Sequence, residues 1–117
     1  MGFMKIVKDQ KLKIEELREM SKKMFGTLVK AVVDIEQEIM AVDADLHADQ
    51  EAYLLENGSL QQNLWGINIY PDATIDAMIE FDSMINLRPS QENRSRGVDD
   101  HSTRVRIVTI VNKLIEP

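Results

Sequence analysis

Val29-Lys30-Ala31-Val32-Val33-Asp34-Ile35-Glu36, residues 29–36, places apolar side chains at 29, 31, 33 and 35 and charged ones at 30, 34 and 36. A period of two is the signature of a strand with one buried face. Carried on through Ile39 and Ala41, this parity predicts one long half-buried strand from Leu28. Its outer face bears Lys30, Asp34, Glu36 and Glu38.

Toward the C-terminus the pattern repeats. Val42-Asp43-Ala44-Asp45 reads as a turn, and Leu46, Ala48, Ala52 and Leu54 as the buried face of a second strand with His47, Asp49 and Glu51 opposite. Asn57-Gly58 then reads as a hairpin tip, because both residues tolerate positive φ. A third strand, Leu64 to Tyr70, buries Trp65, Ile67 and Ile69 and stops at Pro71-Asp72. A fourth, Met78 to Leu87, buries Ile79, Phe81, Ile85 and Leu87. Toward the N-terminus, a short extended piece (3–7) precedes a helix over 12–25. That helix has Ile14, Leu17, Met20, Ser21 and Met24 on one face, acids at its start, lysines at its end and Gly26 beyond.

Arg88 to Gly97, polar and carrying Pro and Gly, reads as an arginine-bearing loop (89–98). A C-terminal helix over 100–115, capped by Asp99 or Asp100, follows from the stripe Ile107, Val108, Val111, Leu114, Ile115. The β-branched run 105–111 leaves a strand open there. The expected architecture is α+β: a two-layer sandwich in which a four-stranded antiparallel meander (28–88) carries two helices on one face.

The chain has 117 residues, 44% hydrophobic and 29% charged, the size and composition of one soluble globular domain. It has no cysteine, so disulfide and thiolate chemistry are excluded. No apolar run reaches membrane-spanning length, and Lys5, Lys8, Lys11 and Lys13 occupy the place of a secretory signal's apolar core. The expectation is a cytoplasmic protein without a membrane partner. A net charge of −6 argues against nucleic acid as a partner.

Charge is segregated along the chain. From Ala31 to Leu87 there is no lysine or arginine, while Asp34, Glu36, Glu38, Asp43, Asp45, Asp49, Glu51, Glu56, Asp72, Asp76, Glu80 and Asp82 all fall there. With turns at 43–44 and 57–58, the expected register sets Met40, His47, Asn68 and Glu80 in one outer row, and Glu38, Asp49, Gly66 and Asp82 in another. Opposed like charges destabilise a sheet, so these rows need a cation, a ligand or plain hydration. Gly66, in mid-strand, marks a close approach by a ligand or another backbone. Arg88, Arg94 and Arg96 follow directly, and arginine binds carboxylate or phosphate through forked hydrogen bonds.

The candidate polar patch is therefore His47, Asn68, Asp49, Glu80 and Asp82 with Arg88, Arg94 and Arg96 folded over its rim. His47, Asp49 and Asp82 are the candidate ligands of a divalent cation. Acids on an open sheet face are also commonly just solvated.

The runs Val32-Val33-Asp34-Ile35-Glu36, Leu46-His47-Ala48-Asp49, Leu64 to Pro71 and Ile79 to Pro89 resemble a small prokaryotic family known as a domain of unknown function. The resemblance spans nearly the whole chain and implies one complete domain. It transfers no activity, cofactor or site residue.

The leading functional expectation is a binding or interaction protein using the acidic outer face, as a homodimer or with a protein partner, since Val32, Met40, Leu55, Leu64, Met78 and Met84 share that face. The alternative is a metal-dependent hydrolase in which Asp49, Glu80 and Asp82 hold the ion, His47 is ligand or base, and Arg88 orients a small anionic substrate. A regulatory partner of a small operon-encoded pair is a third reading.

Overall fold

The structure is a computed structural model that describes residues 4–117. In chain order its elements are β1 (Lys5–Val7), β2 (Leu12–Lys13), α1 (Ile14–Lys23), β3 (Val29–Asp34), β4 (Ile39–Val42), α2 (His47–Glu56), β5 (Leu64–Ile69), β6 (Ile79–Glu80), α3 (His101–Leu114) and β7 (Ile115–Glu116). Short 3-10 turns lie at Gln61–Asn63, Met84–Asn86 and Pro89–Gln91. The class is α+β, with an antiparallel sheet ordered β1-β4-β3-β5-β6 and a small parallel pair, β2-β7. The start of the expected extended piece, before residue 4, lies outside the described residues.

The alternating run does not continue as one strand. Asp34 turns it: Oδ1 accepts the backbone N–H of Glu36 at 2.9 Å and of Gln37 at 3.0 Å, while Oδ2 accepts from Gln37 Nε2 at 2.8 Å and Ser59 Oγ at 2.6 Å. Glu38 takes a left-handed φ of 57°, and β4 returns with Met40 opposite Val33. The turn resets the parity. Met40 and Val42 face the same core as Val33, whereas Ala41 joins Val32 on the other side.

The expected strand over 46–54 is instead α2. Its buried residues are His47, Gln50 and Leu54, spaced three and four apart as a helix stripe requires. Ala48 and Ala52, which suggested alternation, are equally a helix's i, i+4 pair, and alanine is the best helix former. Asn57-Gly58 ends this helix rather than tipping a hairpin. Asn57 is the C-cap and Gly58 follows with φ 103°. The pairings expected of that strand, Met40 with His47, Glu38 with Asp49 and Asp49 with Gly66, therefore do not form, and β5 pairs directly with β3.

Two helices cover one face of the sheet, as the pattern predicts. Leu17 of α1 and Ile107, Val111 and Leu114 of α3 pack with Val29, Ala31, Val33, Ile67 and Ile69 in the main core. Asp100 caps α3, accepting from Thr103 N–H at 2.8 Å, which resolves 101–114 as helix rather than strand. On the opposite face α2 sets Leu54 against Val32, Ala41 and Leu64 in a smaller core. The outer face is thus half covered, and what remains open lies beyond the N-terminal end of α2. No helix among the described residues is long and apolar enough to cross a membrane.

β6 is short because side chains take over its pairing. Gly66 lies under Ser83 so closely that an added Cβ would sit 2.6 Å from Ser83 Cβ. Asn86 then completes the edge. Its Oδ1 accepts Gly66 N–H at 2.9 Å and its Nδ2 donates to Gly66 C=O at 3.0 Å. The close approach that the mid-strand glycine signals is made by the protein's own chain.

Candidate functional site

Register brings three outer residues into a row across the sheet: Lys30 of β3 opposite Asn68 of β5, and Asn68 opposite Glu80 of β6. Beside this row α2 begins, and its first residue, His47, is buried against the sheet. The chain leaving β6 adds Asp82 and Ser83, and the loop before α3 returns with Arg96. These residues, with Tyr70, line a cleft of about 620 Å3 whose apolar wall is Phe25, Leu28, Leu46, Met84 and Ile85. Leu46 and Met84 are exposed at its mouth.

Its polar groups are unequally satisfied. Arg96 Nε pairs with Asp82 Oδ1 at 2.7 Å, neutralising one acid with one base. Lys30 and Glu80 have no ion-pair partner within 4.0 Å among the described residues; Lys30 Nζ lies instead 5.2 Å from the centre of the Phe25 ring. Glu80 Oε1 accepts from Asn68 Nδ2 at 2.9 Å and from Tyr70 Oη at 3.1 Å. Burial, and then the Glu80 carboxylate, holds the Tyr70 hydroxyl above its ordinary pKa, so it stays a donor.

Asn68 is 7% exposed, and its Nδ2 faces two acceptors, Glu80 Oε1 and, more weakly, the Asp82 carbonyl at 3.4 Å. Only the amide's NH2 can serve there, so Oδ1 points away, and it has no donor. Gln50, one turn along α2 from His47 and fully buried, repeats the arrangement. Its Nε2 donates to the Lys30 carbonyl at 2.8 Å while Oε1 has no partner. His47 Nε2 donates to the Ile67 carbonyl at 2.8 Å, which leaves Nδ1 as an acceptor. Burial, more than the nearby Lys30 and Arg96 charges, lowers the His47 pKa and keeps the ring neutral at pH 7. The cleft accordingly holds one unpaired anion and one unpaired cation beside a buried amide oxygen, that of Asn68, which lacks a donor.

Of the residues singled out from sequence, His47, Asn68, Glu80, Asp82 and Arg96 come together here. Asp49 does not. Two residues after His47 on a helix rather than a strand, it is rotated by about 200° and stands exposed, outside the cleft lining. Arg88 is buried elsewhere, its guanidinium over the Trp65 ring at 4.1 Å and donating to the Leu64 carbonyl at 2.7 Å and to the Gln61 carbonyl. Arg94 is exposed, and its backbone N–H, not its side chain, is bonded, to Asp99.

His47, Asp49 and Asp82 therefore form no joint ligand set, and no group of three or more His, Cys, Asp or Glu among the described residues is placed to hold a metal ion. Sequence reasoning missed Lys30, Tyr70 and Phe25. Lys30 stands one residue before the stretch free of bases, directly in line with Asn68 once β3 and β5 are paired.

A family model described as Protein of unknown function (DUF5674) matches residues 5–114. The chain belongs to this family. The match takes in every cleft residue named above, so the cleft lies within the DUF5674 unit. No curated protein and no solved structure matches the chain.

Proposed function

We propose that this DUF5674 protein is a binding protein for a small polar molecule, held in the cleft between α2 and the β5–β6 edge. One observation carries the reading: Asn68 Oδ1, buried in mid-sheet, accepts no hydrogen bond. A buried amide oxygen without a donor costs about 1–3 kcal/mol, and native proteins retain few such atoms. The oxygen is covered in the free protein, so a ligand that shifts a neighbouring cleft side chain and donates to it recovers that loss on binding, and the surrounding cleft is large enough for one.

Two other readings have less support. A metal-dependent hydrolase acting on a small anion needs a ligand set, and Asp49, its expected member, faces away. A homodimer or protein partner on the outer sheet face would use Val32 and Leu64, which α2 already covers with Leu54.

The test is a 15N-labelled fragment screen in three charge classes: amines, carboxylates and neutral polar compounds. Members of at least one class are expected to shift the amides of His47, Ile67, Asn68 and Ser83 together, and saturably. No saturable shift at those amides from any class overturns the reading.

A further inference from the structure

The unpaired charges in the cleft are one of each sign, and they are ordered. Lys30, Asn68 and Glu80 occupy adjacent strands at a single register position, so with about 4.8 Å between neighbouring strands the Cα atoms of Lys30 and Glu80 stand about 10 Å apart. Between them lies the amide whose oxygen lacks a donor. The other two charges, Arg96 and Asp82, cancel in their own ion pair.

A purely cationic ligand would leave Lys30 uncompensated and repelled. A purely anionic one would do the same to Glu80 and leave Asn68 Oδ1 without a donor. A molecule carrying both signs a few ångströms apart answers all three groups. Lys30 Nζ lies 5.2 Å from the centre of the Phe25 ring and forms no ion pair with Glu80, so the two charges are not spent on each other. Beside the row the wall is apolar, with Leu46 and Met84 exposed, and a ligand's hydrocarbon portion would cover them.

Resting on the binding reading above, we infer that the ligand is a small zwitterion of amino-acid type with an apolar side group. Its ammonium donates to Asn68 Oδ1 and to Glu80. Its carboxylate faces Lys30. Its side group lies against Leu46 and Met84.

Titrations of the 15N-labelled protein with L-leucine, L-methionine and L-phenylalanine, and with the half-molecules phenethylammonium and 3-phenylpropionate, test this directly. At least one amino acid is expected to bind the cleft about tenfold tighter than either half-molecule, the gain of one further ion pair in a partly desolvated site. Glu80→Gln keeps the acceptor for Asn68 Nδ2 and removes only the charge, so it should erase the advantage over phenylpropionate. Lys30→Gln should erase the advantage over phenethylammonium. Spectra superimposing on wild type away from the cleft establish that both variants fold. Half-molecules that bind the cleft as tightly as the amino acids, or amino-acid affinities unmoved by both variants, overturn the inference while leaving a binding cleft. If amino acids fail while fragments of another class bind, the inference again falls alone. Silence from every class removes the binding reading with it.

Discussion

Two polar regions flank Gly66 in β5, and they are built on opposite terms. On one side Asn86 brackets Gly66 and donates also to the Arg96 carbonyl at 2.9 Å, while Asn93 Nδ2 donates to the carbonyls of Asn86 and Gly97, each at 2.8 Å, and Asn93 Oδ1 accepts Asp99 N–H at 2.8 Å. Both amides are buried and both ends of each are used. Two residues along the strand, Asn68 is buried almost as deeply, yet one end of its amide is unused, and Gln50 beside it is the same. Equal burial with unequal satisfaction separates an amide that holds the fold from one kept for something outside it.

The Arg88 region shows that unpaired atoms alone do not make this distinction. Arg88 Nε and Glu51 Oε2 are both buried and unpartnered, but they are donor and acceptor, and the Glu51 charge already acts on Arg88. A small adjustment of side chains would pair them. The open groups at Asn68 and Gln50 are both acceptors, which cannot satisfy each other, and Lys30, the unpaired donor opposite Asn68, has its ammonium beside the Phe25 ring instead.

Substitutions break the comparison at successive strengths. Asn86→Ala strands Gly66 N–H and Gly66 C=O at once, leaves Arg96 C=O with only the Ser83 N–H, and should lower the unfolding free energy by about 3 kcal/mol or more; urea melts would show it. Gly66→Ala drives a methyl into Ser83 and toward Ile85 Cγ1, and a loss of about 1–3 kcal/mol is expected in the same assay. Arg88→Ala removes the bonds to Leu64 and Gln61 and the stacking on Trp65, for about 2 kcal/mol.

A smaller effect is expected of pH. His47 has a lowered pKa in the folded protein, so between that value and its ordinary value of about 6.5 the unfolded chain binds more protons. Stability should therefore be fully present above pH 6.5 and decline as pH falls through that window. Urea midpoints from pH 7.5 to 5.5 read this decline, and His47→Gln should flatten it. An unchanged slope in the variant assigns the decline to other groups.

Much of this arrangement was legible in the sequence, for reasons that can be located. Period two placed Val29, Ala31 and Val33 with Ile67 and Ile69 correctly, because those strands bury one face under α1 and α3. The adjacency of Asn68 and Glu80 followed from keeping Ile67 and Phe81 on the inner face, and it owed nothing to the residues between. Asp49 entered the candidate site only through the misread strand and left with it. His47, Gln50 and Leu54 carried the helix signal, at spacings of three and four, but the coincident alternation of Leu46, Ala48, Ala52 and Leu54 masked it. Asn57-Gly58 could not arbitrate, since the same pair suits a hairpin tip and a helix end. The turn at Asp34 was hidden for a different reason: a side chain that caps Glu36 and Gln37 looks, in a one-dimensional pattern, like one more outward-facing acid.

The central claim is that Asn68, though buried in the middle of the sheet, serves a ligand rather than the fold. Asn68→Val tests it most directly, since valine suits a strand and removes both the unpaired oxygen and the bond to Glu80. The account predicts an unfolding free energy within about 0.5 kcal/mol of wild type, or above it, in urea melts, as replacing an unsatisfied polar group by an apolar one of similar size is near neutral. A loss of about 2 kcal/mol or more, comparable to Arg88→Ala, would make Asn68 one more member of the structural network and contradict the claim.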